Sequence, residues 1–343
     1  MNKRNIQKVC IAGGTGFLGY YTALKFLDMG VKVDAIALPN ELSSLDWMDK
    51  RMGLTLGNLF EQTEEEIVAL LKDKGYDAFV YGLGPDDRVL PNAPAYDFFH
   101  EKLVVQCEKI CRAAKKAGIK VCAVMGSYFA HFDKLQNGQL SAYHPYIRAR
   151  REQEQAVFAL ADTTFACMVL ELPYIFGTIE GRKPLWRESF LSHFNGMKAI
   201  YFPKGGGTAV IDVTGVAEAI VASVFYGESK QAYPVGQENM TFKELVTLML
   251  SSIKDNRKYI ELPAWLCALG AKKLMKNMQK QGKENGLNAA KLMTQIQNKK
   301  FYVNAQELHH QLHYADLGFT GGKNVRESIA HTMRACYPEK CKQ

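Results

Sequence analysis

Three glycines near the start of the sequence could form a phosphate-binding loop. Gly13, Gly16 and Gly19 lie between an apolar run that predicts a strand, Val9–Ala12, and a predicted helix, Phe17–Met29. In such a loop the first glycine permits a tight turn, the second lets a pyrophosphate approach, and the third lets the helix pack closely. The helix amino terminus adds free N–H groups and partial positive charge. The residues expected to contact a dinucleotide here are Gly13, Thr15, Gly16, Phe17, Leu18 and Gly19.

The elements that must position this loop alternate along the first half of the chain. Helix-like segments end in a charged turn and a glycine, at Gly30, Gly75 and Gly118, and an apolar run follows each of them. Alternating strands and helices imply parallel pairing with right-handed crossovers, and continuously apolar strands indicate helices on both sheet faces. The pattern predicts an α/β fold with a Rossmann-type, doubly wound parallel sheet. Its strands are expected at Val9–Ala12, Val31–Leu38, Leu54–Leu56, Ala78–Tyr81, Val121–Met125 and Phe165–Leu170.

The pattern changes after about residue 175, where glycines and prolines cluster, and helical signals dominate from Thr241 onward. We therefore expect a dinucleotide-binding domain at residues 1–175 and a smaller, mostly helical C-terminal substrate domain at residues 176–343. An apolar segment within 205–240 could return to the first domain.

Composition excludes several classes of protein. The chain has 343 residues, of which 47% are hydrophobic and 23% are charged, as in ordinary globular proteins. No apolar run is long enough for a membrane span, and Met1–Lys8 lacks the apolar core of a signal peptide. The eight cysteines are scattered, as expected of free thiols. We therefore expect a cytoplasmic protein, and the spacing of His and Cys predicts no metal site.

The net charge of +8 is unevenly distributed along the chain. Residues 271–300 contain eight lysines and a single acidic residue, Glu284. Such a segment is most often a solvated helical face. The alternative is a patch that attracts an acidic partner, such as a nucleotide-linked substrate, a nucleic acid or a membrane surface.

Beyond the glycine loop, motifs along the whole chain resemble one family. The chain is similar to the extended short-chain dehydrogenases/reductases, specifically the NAD-dependent epimerase/dehydratase group, whose motifs occur here in the family's order. Gly57-Asn58-Leu59 resembles the family's G-D-L, and Tyr81–Gly84 its H-x-A-G. Met125–Ser127 resembles the strand end that carries the catalytic serine or threonine. His144–Arg150 resembles the Y-x-x-x-K helix, and Leu172–Gly177 the R-P-x-x-x-Y-G loop near the nicotinamide.

The resemblance implies further cofactor contacts, at Asn58, Leu59, Gly82, Tyr146, Arg150 and Pro173. Four positions depart from the family pattern. Arg150 stands where the family has lysine, and Asn58 where it has aspartate. Leu103 lies where an asparagine is frequent, and Glu171 near the usual arginine.

Ser127, Tyr146 and Arg150 are the candidate catalytic residues that the resemblance implies. In the family a tyrosine hydroxyl exchanges a proton with a substrate oxygen while hydride moves to or from the nicotinamide. A free phenol titrates near pH 10, so it needs a cation nearby to act as a base. Arg150 is four residues after Tyr146 and shares its helical face, so it can supply that charge, although it cannot pass on a proton. Ser127 would orient the substrate oxygen.

The cofactor is NAD or NADP. The predicted end of strand two, Ala37–Asn40, has no acid to bind a ribose 2′-hydroxyl, which favours NADP over NAD. Lys50 and Arg51 follow at an undetermined distance. The sequence predicts an NAD(P)-dependent oxidoreductase or epimerase/dehydratase with a small-molecule substrate. A catalytically silent cofactor-binding regulator or sensor is the alternative, and a nucleic-acid-binding relative is less favoured. A homodimer is considered, and no membrane partner is expected.

Overall fold

The computed structural model describes residues 3–39, 47–179, 182, 184–189 and 191–341. Its strands are β1 (Lys8–Ala12), β2 (Lys32–Ala37), β3 (Gly53–Leu56), β4 (Ala78–Tyr81), β5 (Val121–Met125), β6 (Ala166–Glu171), β7 (Tyr174–Phe176), β8 (Ala199–Pro203), β9 (Gly207–Asp212), β10 (Gln231–Pro234), β11 (Glu238–Thr241), β12 (Lys258–Leu262) and β13 (Lys300–Phe301).

The helices are α1 (Phe17–Asp28), α2 (Glu64–Leu71), α3 (Ala95–Phe99), α4 (Gln106–Lys116), α5 (Tyr128–Leu135), α6 (Pro145–Leu160), α7 (Trp186–Ser189), α8 (Val213–Tyr226), α9 (Phe242–Ser252), α10 (Ala264–Lys280), α11 (Ala289–Lys291), α12 (Ala305–Gln311), α13 (Tyr314–Leu317), α14 (Val325–Cys336) and α15 (Pro338–Cys341). Short π-helical turns occupy His100–Val105 and Leu292–Ile296.

The described residues form a seven-stranded sheet in the order β10-β6-β5-β4-β1-β2-β3, and every neighbouring pair in it is parallel. Helices α1 and α8 cover one face, and α2, α4 and α6 cover the other. The predicted doubly wound α/β fold is therefore confirmed, with all six predicted strands in the sheet. The strand order reverses between β1 and β4, and ligands of such sheets bind at the carboxyl ends of the strands near this reversal.

The C-terminal region contains strands as well as helices. β9 pairs with β7, β11 and β13, and β8 pairs with β12. The segment 205–240 reaches both parts of the molecule, because β9 lies in the small sheet while α8 packs on α1 and β10 forms the edge of the large sheet. The division at residue 175 stays a prediction.

One helix start illustrates how local sequence sets these elements. Thr63 caps α2 by accepting a hydrogen bond from the Glu66 amide at 3.2 Å, and the Glu66 carboxylate accepts one from the Thr63 amide at 2.8 Å. This reciprocal capping box satisfies two amides that the helix cannot pair internally.

Candidate active site

The glycine loop joins β1 to α1 at the reversal point of the sheet. Gly13 has φ +83°, and a Cβ placed on it would lie 2.7 Å from the Gly82 carbonyl oxygen. A Cβ on Gly19 would lie 2.2 Å from the Gly13 oxygen, so this position must be glycine for α1 to pack on the loop. For Gly16, the one described atom within 4 Å of such a Cβ is the Gly13 oxygen, at 3.1 Å. Internal packing therefore explains Gly13 and Gly19 better than it explains Gly16.

The amino terminus of α1 fits an anionic group. No side chain caps it, and its first turn contains no acidic residue. Thr15 is buried in the loop, and Phe17 and Leu18 are half-buried in the first turn. The free amides and a loop that a Cβ would fill are the features that bind pyrophosphate in dinucleotide sites.

Other predicted cofactor residues are Asn58, Leu59, Gly82 and Pro173, and they differ in which of their groups could contact a ligand. The Asn58 Oδ1 accepts a hydrogen bond from the Phe60 amide at 3.1 Å, while the Leu59 side chain is buried in the core below. Leu59 could therefore offer a ligand only its backbone. The Gly82 amide donates to the Ala12 carbonyl at 3.0 Å, and Pro173 is buried two residues after the end of β6.

Tyr146 and Arg150 are joined by a direct hydrogen bond at the start of α6. The Arg150 Nε donates to the Tyr146 Oη at 3.0 Å, and both residues are buried. The guanidinium also donates to the Met125 carbonyl at 3.2 Å and to the Gln153 Oε1 at 2.8 Å. Arg150 thus ties the phenol to the carboxyl end of β5. Burial raises the pKa of the Tyr146 phenol above its ordinary value, and the Arg150 charge offsets part of that rise.

Ser127 lies two residues beyond the end of β5 and caps α5. It is 6% exposed, and its Oγ accepts a hydrogen bond from the Phe129 amide at 3.4 Å. Among the described residues it makes no hydrogen bond with Tyr146. The two side chains therefore share a sheet edge without a direct bond between them.

Sequence reasoning missed an acidic loop at this edge. Asp86, Asp87 and Arg88 follow β4, and the preceding Pro85 carbonyl accepts a hydrogen bond from Arg150 at 3.5 Å. Asp86 pairs with Arg88. Burial, and then the charge of Asp86, raise the pKa of Asp87 to about 6.

The negative charge of Asp87 also raises the pKa of phenols contributed by three other segments: Tyr128, Tyr146 and Tyr174. Asp87 therefore adds to the effect of burial on phenols from three separate segments of the chain. The sequence signal that could have identified Asp87 is its place in the loop that follows the carboxyl end of a central strand.

A segment from the C-terminal region covers the start of α6. The Tyr146 amide donates to the Gly286 carbonyl at 2.9 Å, and the Asn288 amide donates to the His144 Nδ1 at 3.0 Å. A Cβ on Gly286 would lie 2.5 Å from the Phe99 ring and 2.9 Å from the Tyr146 Cβ. Burial lowers the pKa of His144 to about 4, so this imidazole is a neutral acceptor near pH 7. The basic segment 271–300 is thus more than a solvated face, because part of it packs on the candidate catalytic tyrosine.

Two departures from the family pattern have structural explanations. Leu103 is fully buried in the π-helical turn, where it packs against the Gly84 backbone. Glu171 is fully buried at the end of β6 and pairs with Lys134 at 2.8 Å.

The region after β2, where the ribose 2′-hydroxyl of the cofactor is expected, lies partly within the described residues. Arg51 pairs with Asp49 at 2.7 Å and with Asp28 at 3.1 Å. Asp28 ends α1, so Arg51 lies at the opposite end of that helix from the glycine loop, about 18 Å along its axis. Asn40, part of the predicted end of strand two, lies outside the described residues.

Within the described ranges, no group of three or more His, Cys, Asp and Glu side chains is placed to hold a metal ion. His309 stacks on Tyr314, and His313 stacks on Tyr226. In the same ranges, no helix is both long and apolar enough to span a bilayer.

Three features define a Rossmann protein built around a dinucleotide site. They are a parallel sheet with a reversal point, a glycine loop at a helix amino terminus, and a Tyr-Arg pair at the same edge of the sheet. Comparison with known families makes this more specific. The model of the family described as "NAD dependent epimerase/dehydratase family" matches residues 9–237. The chain belongs to the NAD-dependent epimerase/dehydratase family. The curated proteins include no match to its sequence.

Solved structures share the fold over nearly the whole chain. The crystal structure of gox2253 has a TM-score of 0.72 at 18% identity and covers 98% of both chains. A nucleoside-diphosphate-sugar epimerase from Pseudomonas aeruginosa has a TM-score of 0.68 at 13% identity, covering 97% of this chain and 98% of its own. The Bordetella bronchiseptica enzyme WbmH, solved in complex with NAD+, has a TM-score of 0.64 at 16% identity, covering 97% and 99%.

Proposed function

We propose that the protein is a nicotinamide-dependent oxidoreductase or epimerase that interconverts a secondary alcohol and a carbonyl, with Tyr146 as the acid/base. The observation that carries the proposal is the buried hydrogen bond from Arg150 Nε to Tyr146 Oη. Family membership and the NAD complex of a structural neighbour support a nicotinamide cofactor.

The cofactor would be held by the loop Gly13–Gly19, with its pyrophosphate at the amino terminus of α1. Asn58, Gly82 and Pro173 would line the rest of the groove, and Leu59 would contribute backbone. When bound, the nicotinamide supplies hydride exchange with a substrate carbon. We favour NADP over NAD, because β2 ends in Ala37 and is followed by Leu38 and Pro39, with no acid to bind a ribose 2′-hydroxyl.

Tyr146 would exchange the proton that accompanies hydride transfer. The net rise in the pKa of its phenol favours the protonated form, so Tyr146 is better prepared to donate a proton to a carbonyl oxygen than to remove one from an alcohol. Arg150 holds the hydroxyl in place and stabilises the phenolate left after donation. Ser127 would donate a hydrogen bond to the substrate oxygen.

Asp87 is a second titratable group, in the loop whose Pro85 carbonyl accepts a hydrogen bond from Arg150. With its pKa near 6, it is a carboxylate at neutral pH and can accept hydrogen bonds from substrate hydroxyls. Several structural neighbours act on nucleoside diphosphate sugars, which are rich in such hydroxyls. We therefore propose a polyhydroxylated substrate, with simple carbonyl compounds as the alternative.

The test measures hydride transfer with NAD and NADP across sugar nucleotides and simple carbonyl compounds. Tyr146→Phe should reduce the rate by about a hundred- to ten-thousandfold while cofactor affinity is kept. Arg150→Lys should retain substantial activity. Gly16→Val should lose cofactor binding without unfolding, because its side chain would occupy the open side of the loop.

Equal rates for the parent protein and Tyr146→Phe would exclude Tyr146 as the acid/base. Cofactor binding by calorimetry with no turnover on any substrate would favour the silent regulator. Salt-sensitive RNA binding without cofactor dependence would favour the nucleic-acid-binding alternative.

A further inference from the structure

Helix α10 exposes large apolar side chains that the proposed active site does not use. Trp265 is 63% exposed, Leu269 53% and Leu266 41%. Ala268 is the one buried residue of this helix, at 8% exposure. Isolated exposed leucines are ordinary, but a tryptophan with two leucines on adjacent turns forms a contiguous apolar patch that water solvates poorly.

Four lysines continue the same exposed surface toward the end of α10. Lys272, Lys273, Lys276 and Lys280 are all exposed, and the helix contains no acidic residue. Trp265, Leu269, Lys272 and Lys276 follow one another at intervals of three or four residues, so they share one helical face. That face is apolar in its first turns and basic in its last turns.

We propose that the exposed face of α10 binds the surface of an anionic lipid bilayer. Trp265, Leu266 and Leu269 would enter the interface between headgroups and acyl chains, where amphipathic aromatic rings are favoured. The lysine stems would lie along the interface while their ammonium groups contact lipid phosphates. The protein would bind peripherally, which revises the expectation from sequence that it has no membrane partner.

Charge distinguishes this occupant from the other candidates. A second copy of the chain, docked through the same face about a two-fold axis, would place the lysines of each copy against the lysines or the apolar turns of the other, and α10 has no acidic residue to pair with them. A nucleic acid would match the lysines but would leave the leucines exposed. An anionic bilayer matches both halves of the face at once.

The first test is cosedimentation of the full-length protein with vesicles. Binding is expected to vesicles of phosphatidylcholine mixed with phosphatidylglycerol, to weaken with salt, and to be absent with phosphatidylcholine alone. Emission from tryptophan should shift to shorter wavelength on binding, and Trp265→Phe should remove most of that shift. No binding to the anionic vesicles at low salt would overturn the proposal.

Variants separate the two halves of the face. Lys272→Gln with Lys276→Gln should weaken vesicle binding roughly thirtyfold. Leu269→Ser should weaken it by about tenfold. The matched control is Lys72→Gln with Lys120→Gln, which removes two exposed lysines from the sheet domain and should bind as the parent does. All variants should keep the parent's thermal unfolding and cofactor affinity.

Equal weakening by the control pair would show that net charge, and not α10, governs binding, and would overturn the proposal. It would be overturned equally if Leu269→Ser abolished a concentration-dependent dimer in sedimentation velocity while vesicle binding was unchanged. That outcome would assign the face to a second copy. Either result leaves the proposed catalysis at Tyr146 untouched, since hydride transfer is measured without vesicles.

Discussion

Helix α6 borders two buried groups of charged side chains that are built in opposite ways. On one side, Arg150 hydrogen-bonds to neutral acceptors: a phenol, an amide and backbone carbonyls. Among the described residues, no carboxylate lies within ion-pair distance of its guanidinium. On the other side, Glu154 and Glu171 are both buried and share the cation of Lys134, at 3.1 and 2.8 Å. Arg151 adds a second cation to Glu154 at 3.1 Å.

This difference distinguishes a candidate functional site from a structural cluster of charged side chains. A buried charge costs several kcal/mol unless opposite charges and hydrogen bonds compensate it. The carboxyl groups of Glu154 and Glu171 are compensated by ion pairs within the protein, and these pairs hold α5, α6 and β6 together. The Arg150 guanidinium has no direct ion pair among the described residues and acts on Asp86 and Asp87 only at longer range, so it is available to stabilise negative charge that develops on Tyr146 or arrives with a ligand.

Removing the cation from each group is the strongest test of this comparison. Arg150→Met should reduce hydride transfer roughly a hundredfold, because the phenolate loses its stabilising charge, while the free energy of unfolding changes by about 1 kcal/mol or less. Lys134→Met should lower the free energy of unfolding by about 3 kcal/mol, because two buried carboxyls lose their shared cation. Its activity per folded molecule should match the parent.

Urea denaturation and single-turnover kinetics on both variants provide the measurements. Loss of activity in folded Lys134→Met, or severe destabilisation in Arg150→Met, would show that the two groups do not divide the roles in this way.

Sequence reasoning was effective where the signal is local. The strand runs are continuously apolar, the glycine loop has a fixed spacing, and Tyr146 and Arg150 are separated by one helical turn, so helix geometry alone brings them together. The short edge strand β10 was missed because its four residues, Gln231–Pro234, end in proline and alternate too briefly to predict a strand.

The remaining features depend on contacts between distant segments. The sequence around Gly286 does not indicate that this position requires a residue without a side chain, because the crowding comes from the distant residues Phe99 and Tyr146. Glu171 was recognised as a departure from the family, but its partner Lys134 is on another element. Asp87 could have been found, because the loop after a central strand, which here carries an acidic pair, lies where such sheets bind ligands.

A smaller effect, on the pH dependence of alcohol oxidation, is expected from Asp87, the carboxyl group on the Arg150 side of α6. Below pH 6 Asp87 is protonated, and above it the carboxylate raises the pKa of the Tyr146 phenol. Asp87→Asn removes that charge, so Tyr146 should ionise at lower pH in the variant. Alcohol oxidation, which needs the ionised phenol, should therefore be severalfold faster than in the parent above pH 6 and equal to it below pH 5.

The pH profiles of kcat/KM for the parent protein and Asp87→Asn give the ratio of their rates at each pH. A ratio that stays constant across pH 5 to 8 would mean that Asp87 does not act on Tyr146 electrostatically. Loss of binding at every pH would instead assign Asp87 to substrate recognition alone.

A pH-dependent effect on stability is expected from Glu154, the carboxyl group on the other side of α6. Burial, and then the charge of Glu171, raise the pKa of Glu154 to about 8, well above its value in an unfolded chain. A carboxyl whose pKa is raised on folding stabilises the protein fully below its unfolded pKa, and that contribution is lost as pH rises through the folded value. Glu154→Gln fixes the group in a neutral form, so it should exceed the parent's free energy of unfolding by only about 1 kcal/mol near pH 5 and by several kcal/mol near pH 8.5. Glu65→Gln, at an exposed position of α2, is the matched control and should show no such rise. Urea denaturation of the three proteins at both pH values measures the difference, and a variant less stable than the parent at pH 8.5 would show that Glu154 is held as a compensated carboxylate. In either case hydride transfer should be unchanged, because Glu154 pairs with Lys134 and Arg151 and not with a residue of the proposed active site.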